Sequence, residues 1–190
     1  MRCGKFWGER GFTLVEIAIV LVIIGLLIGG ILKGREMIKN AKVKRVVKMA
    51  DELRSAWNSF YDKYGVYPGD ENKRDIPPGD RHNGNGDGHV IGNEIYYLFE
   101  DLQKAELISG NYNGTSDLPT HPFGGKVAII YLNLNRTGYK HWIRFENMPW
   151  DVCQQIDMKY DDGVYNTGSI MANTRYSASA GTIRYFYIAL

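Results

Sequence analysis

Residues 12–32 of the chain read FTLVEIAIVLVIIGLLIGGIL, an apolar stretch whose one ionisable residue is Glu16. As an α-helix, a stretch of this length extends over about 30 Å, which is the thickness of the hydrocarbon core of a bilayer. A secretory signal peptide differs, because its apolar region is shorter and a small-residue cleavage site follows it. No such site lies between this stretch and the basic residues that begin at Lys33. We therefore predict a helix that anchors the chain in a membrane.

Residues 1–11 form a short basic segment ahead of this helix. The charged residues in it are Arg2, Lys5, Glu9 and Arg10. Without this segment, the remaining chain has 20 basic and 20 acidic residues and is neutral. A neutral chain has no overall electrostatic attraction for nucleic acid, so composition gives no strong nucleic-acid signal. Of the two cysteines, Cys3 lies in this segment and Cys153 lies outside it.

Glu16 is the unusual residue of the apolar stretch. An ionisable side chain at the centre of a membrane helix costs about 3 kcal/mol, so such a residue needs a partner and indicates a function. If the chain is cut between Gly11 and Phe12, Phe12 gains an α-amino group one helical turn from Glu16. That cation could neutralise the carboxylate, either within the chain or on an adjacent subunit.

The hexapeptide GFTLVE at residues 11–16, preceded by a basic segment and followed by an apolar run, resembles the type IV prepilin motif. Type IV pilins and the pseudopilins of type II secretion share this motif. The resemblance implies cleavage after Gly11 by a prepilin peptidase, methylation of the Phe12 amine, and a role for Glu16 in assembly. The positive-inside rule alone favours the opposite orientation, because basic residues are more numerous after the apolar stretch than before it. We give the motif more weight than this count.

The helical pattern continues beyond the membrane stretch. An apolar stripe recurs at three- and four-residue steps through Val43, Val46, Val47, Ala50, Leu53, Trp57, Phe60 and Tyr64. We therefore divide the chain into a leader (1–11), one long helix (12–66, with 12–32 transmembrane and 33–66 an amphipathic shaft) and a globular head (67–190). Four glycines near the end of the apolar stretch, Gly25, Gly29, Gly30 and Gly34, indicate either close helix packing or a segment that extends during assembly.

A polar loop at residues 68–93 opens the head, and its end overlaps a calcium-binding pattern. Residues 83–94 read NGNGDGHVIGNE, with oxygen donors at alternate positions, a glycine for the turn and a glutamate at the twelfth position. The predicted ligands are Asn83, Asn85, Asp87, the His89 carbonyl and Glu94. Of these, only Asp87 and Glu94 supply charge, so we expect calcium to be bound weakly unless Asp80 also contributes. The alternative is a glycine-asparagine turn that needs no ion.

The sequence pattern in the rest of the head predicts an α+β fold. A short helix is expected at Glu94–Ile108, and strands are expected where β-branched and aromatic residues concentrate, at Val127–Asn133, Tyr139–Phe145 and Ile183–Ala189. Residues 149–158 are expected to form a further short helix. We predict an antiparallel sheet packed on the long helix, which is a type IV pilin-like architecture. Asp157, Asp161 and Asp162 form either a second oxygen cluster or a turn.

The expected function is structural. The chain contains no phosphate-binding loop, no nucleophile elbow and no zinc-binding H-E-x-x-H, so we predict that it is not an enzyme. The resemblance implies a subunit of a type IV pilus-like filament or of a type II secretion pseudopilus. Its partners would be like subunits, the prepilin peptidase and methyltransferase, and the inner membrane, with the head outside the cytoplasm. The alternatives are a minor pilin whose head binds a surface or DNA, and a membrane-tethered enzyme.

Overall fold

The computed structural model describes residues 11–136 and 138–190, so the predicted leader lies outside the described residues except for Gly11. Two compact units divide the chain: one ends at Ala41 and the other runs from Lys42 to Leu190. Helix α1 (Leu14–Tyr64) contributes its first part to the first unit and its second part to the second unit. Gly65 follows it in the left-handed conformation with φ 71°, which ends the helix.

The first unit has an apolar surface. Its large side chains from Leu14 to Leu32 are exposed, with values from 45% at Ile24 to 86% at Leu14. One stretch of α1 is long and apolar enough to cross a membrane, judged by length and composition. The predicted transmembrane helix therefore has its structural counterpart in the first part of α1.

In the second unit, α1 packs through the predicted stripe. Its buried residues are Val43, Val46, Ala50, Leu53, Ala56, Trp57 and Phe60. Val47 and Tyr64 are half-buried against the same core. The period of 3.6 residues per turn thus places one face of the helix in the core, and the prediction for this face is confirmed.

A four-stranded antiparallel sheet forms the other side of this core. Strands β1 (Val127–Asn133), β2 (Tyr139–Pro149), β3 (Ile170–Ala172) and β4 (Thr182–Ala189) lie in the order β1-β2-β4-β3. Alternate residues of a strand face opposite sides. Ile143 belongs to the main core, whereas Trp142 packs with Met171 and Tyr187 in a smaller cluster. The predicted α+β architecture is confirmed.

The two short helices differ in their ends from the predictions. Helix α2 spans Glu94–Lys104 and stops before Ile108, because Glu106 has a left-handed φ of 61°. Helix α3 spans Trp150–Tyr160 and follows β2 directly. Strand β3 was not predicted.

Candidate functional site

Thr13 and Glu16 form a capping box at the start of α1. The Glu16 Oε2 atom accepts hydrogen bonds from the Thr13 backbone N–H and hydroxyl, both at 2.8 Å. In return, the Glu16 N–H donates to Thr13 Oγ1 at 3.2 Å. Such reciprocal bonds satisfy N–H groups that the first helical turn leaves without partners. Glu16 therefore has partners within its own chain.

The predicted cleavage position lies immediately before this box. Gly11 and Phe12 precede the helix, and the Phe12 side chain is 82% exposed. The structure thus presents the Gly11–Phe12 peptide outside regular secondary structure, next to an ordered helix start. Access of this kind is what a protease needs at its cleavage site.

A buried aspartate organises the polar loop. Asp70, which is 4% exposed, accepts hydrogen bonds at Oδ1 from the N–H groups of Gly86 and Asp87 at 3.0 and 3.1 Å. Its Oδ2 accepts a third from Gly88 at 2.8 Å. Burial raises the pKa of Asp70, and the three N–H donors oppose this rise. The sequence analysis assigned no role to Asp70, which directly follows the turn residues Pro68 and Gly69.

The structure brings three of the predicted calcium ligands together around backbone N–H groups. Asn85 Oδ1 accepts from the Asp87 N–H, and Asp87 Oδ1 accepts from the His89 N–H, both at 2.8 Å. Glu94 Oε1 accepts from the Asn85 N–H at 3.1 Å and its Oε2 from Ile91 at 3.0 Å. These bonds are those of a folded turn, and they leave calcium binding by these residues a prediction.

The side chains of the other two residues in the predicted calcium site, Asn83 and His89, contact other groups. The Asn83 side chain donates to the Lys73 carbonyl at 2.8 Å. The His89 ring stacks on Tyr131 with its centroid 4.1 Å away. The prediction assigned the His89 backbone carbonyl as the ligand, and ring stacking leaves that assignment unchanged.

A group of three carboxylates, which we call the carboxylate trio, lies beside the polar loop. It consists of Glu71, Asp80 and Asp101, and one ligand atom from each lies within 4.8 Å of the others. Burial raises the pKa of Glu71 to about 7 and raises the pKa of Asp101 further. The sequence analysis named Asp80 as a possible contributor to the calcium loop but did not predict its grouping with Glu71 and Asp101. A signal for Asp101 was present, because it lies beside the buried residues Leu98 and Leu102 on one face of α2.

The aspartates near residue 160 also lie together, as one of the two interpretations expected. Asp157, Asp161 and Asp162 have ligand atoms within 4.8 Å of one another. Each carboxylate accepts hydrogen bonds from nearby groups. Asp157 accepts from the Gly163 N–H and the Tyr176 hydroxyl, and Asp161 accepts from the N–H groups of Ser169 and Ile170. Asp162 accepts from the Val164 N–H and the Thr167 hydroxyl. This geometry is that of a turn whose carboxylates already have donors.

Comparison with known families identifies a motif at the N-terminal end of the chain. Residues 8–32 match the family described as the prokaryotic N-terminal methylation motif. The chain carries the prepilin-type cleavage and methylation signature. No curated protein and no solved structure matches the chain.

The prepilin-type signature relates the structure of the first unit to a class of protein. It includes Gly11, Phe12 and Glu16, and it extends to the end of the apolar stretch at Leu32. A motif of this kind marks a precursor of the pilin or pseudopilin type, which is a structural subunit. Together with the apolar helix, it fits a precursor anchored in the inner membrane.

Proposed function

We propose that a prepilin peptidase cuts this precursor between Gly11 and Phe12, that the new amine is methylated, and that the mature chain assembles into a pilus-like filament or a type II secretion pseudopilus. The observation that carries the proposal is the coincidence of two features at one end of α1. The prepilin-type signature ends where a membrane-length apolar surface ends, and that surface is exposed in the single chain.

The exposed surface of the first unit requires apolar surroundings. Its large side chains at residues 14–32 form a continuous patch, and soluble monomeric proteins rarely expose patches of this size. A bilayer covers such a surface before assembly, and the same surface on like subunits covers it in a filament. The same part of α1 thus serves as an anchor and then as the assembly element.

Glu16 supports the assembly step through an atom that the capping box does not use. Both described bonds from Thr13 end on Oε2. Oε1 can accept a hydrogen bond from the Phe12 amine of the mature chain or of an adjacent subunit. Because charge-assisted hydrogen bonds are strong in apolar surroundings, this pairing would set the axial register of neighbouring helices.

The second unit stays outside the cytoplasm in this proposal. It has its own core of helices and sheet, and its surface carries both charge signs. A core of this kind needs no bilayer, so the second unit would form the outer part of the filament. This placement follows from the prepilin-type signature, in which the leader is the cytoplasmic end.

Intact-mass measurement on protein from its native host tests the processing step. The expected mass is that of a chain that begins at Phe12 and carries one methyl group. Gly11→Val should retain the leader and still insert, because a branched side chain blocks the approach to the peptide bond. Gly30→Ala is the matched control, since a Cβ at Gly30 meets no atom within 4 Å. A native chain that keeps Met1, or is cut beyond Leu32, would contradict the proposal.

A further inference from the structure

The carboxylate trio joins two segments of the second unit. Glu71 and Asp80 lie in the polar loop, and Asp101 lies in α2. Glu71 and Asp101 are fully buried at 0% exposure, and Asp80 is half-buried. Because one ligand oxygen from each residue lies within 4.8 Å of the others, three carboxyl groups occupy one small volume.

In the described part of the chain, the oxygens of the trio have few hydrogen-bond donors and no ion-pair partner. Glu71 Oε1 and Oε2, Asp80 Oδ2 and Asp101 Oδ1 are buried and have no hydrogen-bond partner there. Asp101 Oδ2 accepts one bond, from the Gly69 N–H at 2.6 Å. None of the described ion pairs includes any of the three residues. Buried carboxylates without partners are strongly unfavourable, so the trio must either hold protons or bind a cation.

Neighbouring acids show that the fold normally supplies such partners. Asp70, next to Glu71 in sequence, accepts three backbone N–H groups. Glu100, next to Asp101, contacts the His82 ring with Nδ1 2.5 Å from Oε2. The unsatisfied oxygens are therefore specific to the trio and are not a general property of the acidic residues in this region.

We propose that Glu71, Asp80 and Asp101 bind a divalent cation, with calcium as the best chemical match. Calcium takes oxygen ligands at about 2.3–2.6 Å, so two ligands on opposite sides of one ion lie up to about 5 Å apart. The ligand atoms of the trio meet this condition. Zinc favours nitrogen and sulfur ligands, and magnesium demands a tighter octahedron, so both match this all-carboxylate group less well.

One member of the trio lines a surface cleft. A cleft of about 520 Å³ lined by Arg74, Asp75, Asp80, Arg81 and Asn83 opens beside Asp80. Asp80 thus belongs both to the wall of this cleft and to the trio. A bound ion would also hold the polar loop against α2, because the trio draws on both segments. This inference does not depend on the filament role.

The test is a thermal melt of the full processed chain in detergent micelles, with calcium, with magnesium and with chelator. Calcium about a hundredfold above its Kd should raise the melting midpoint by about 5–10 °C, with magnesium far less effective. Isothermal titration should give one calcium per chain. Glu71→Gln should abolish the calcium response and leave the chelator midpoint equal to or above that of the wild type, because one buried like charge is gone. A purely structural role for Glu71 predicts a lower midpoint under both conditions.

Asp87→Asn is the matched control, since it removes a carboxylate of the predicted calcium loop and leaves the trio intact. It should keep the calcium response. Loss of the response in Asp87→Asn with retention in Glu71→Gln would overturn the proposal and assign the ion to the loop. Identical melting midpoints in calcium and in chelator would also overturn the proposed cation site, whether or not the midpoint changes with pH. A proton shared by Glu71 and Asp101 would then take the place of the cation.

A second variant covers the case in which Glu71→Gln does not fold. Asp80→Asn changes the half-buried member of the trio and should weaken calcium binding at least tenfold. Unchanged binding in this variant would exclude Asp80 as a ligand and overturn the proposed site.

Discussion

Thr13 Oγ1 accepts a hydrogen bond from the Glu16 N–H at 3.2 Å, while the Glu16 carboxylate accepts the Thr13 N–H and hydroxyl at 2.8 Å. The carboxylate that the sequence analysis paired with a future amine therefore already caps its own helix. Capping and assembly are two separate roles for one side chain. They can be separated experimentally, because a glutamine caps a helix but carries no charge.

The first prediction uses this separation. Glu16→Gln keeps the capping bonds, so it should give inserted, processed protein, but few filaments because the charge is missing. Thr13→Ala keeps the charge and loses the cap, which costs about 1 kcal/mol, so filaments should still form. Immunoblots of membrane and sheared-filament fractions measure both. Normal filaments from Glu16→Gln together with failure of Thr13→Ala would show that Glu16 acts through the cap alone.

The sequence predicted the elements whose pattern is local. The stripe from Val43 to Phe60 could be recognised from its period, and β1 from its run of β-branched and aromatic residues. Strand β3 could not, because its three residues become a strand only by pairing with β4. The end of α2 was missed for a related reason: Glu106 takes the left-handed conformation that usually identifies a glycine.

The candidate site residues also divide into those that a local sequence pattern predicts and those that it does not. Gly11, Phe12 and Glu16 are neighbours in sequence, so one short motif predicts them. The carboxylate trio combines residues 71, 80 and 101, and no single window of sequence contains it. Asp70 shows a further limit: its function is to accept N–H groups of residues 86–88, and such bonds depend on the folded path of a glycine-rich loop.

The second prediction concerns Asp70. Asp70→Ala removes the acceptor of three backbone N–H groups and should destabilise the second unit by about 2–4 kcal/mol. Asp70→Asn retains one acceptor oxygen and should cost less. Limited trypsin digestion should then cut faster at Arg74 and Arg81, which lie in the loop that Asp70 holds. Wild-type cleavage rates in Asp70→Ala would mean that the loop is held by other contacts.

The third prediction is a dependence on pH. His141 is packed against Trp57 and Tyr131, and its Nε2 accepts the Val90 N–H at 3.2 Å, which requires the neutral ring. Burial lowers the pKa of His141 to about 4. Between this value and the ordinary value of 6.5, the unfolded chain binds a proton that the folded chain does not. The stabilising contribution is therefore complete above pH 6.5 and is lost as the pH falls towards 4.

Denaturant unfolding of the wild type and His141→Gln at pH 7 and pH 4.5 measures this contribution. Glutamine can accept the Val90 N–H but does not titrate in this range, so the difference in unfolding free energy between the two proteins should shrink at pH 4.5. The comparison is needed because burial raises the pKa of Asp70 and Asp157, which gives stability the opposite dependence on pH. An equal difference at both pH values would contradict the prediction.

The last prediction counts thiols. Cys153 lies in α3 with 0% exposure, and burial raises the pKa of its thiol, so it should not react with a thiol reagent in the native protein. After denaturation, the processed chain should expose one reactive thiol, because Cys3 is removed with the leader. The unprocessed Gly11→Val variant should expose two. Dithionitrobenzoate absorbance with and without guanidinium gives both counts. Two thiols in the native host's mature protein would show that the leader remains attached, and a rapid reaction of the folded processed chain would show that α3 opens readily.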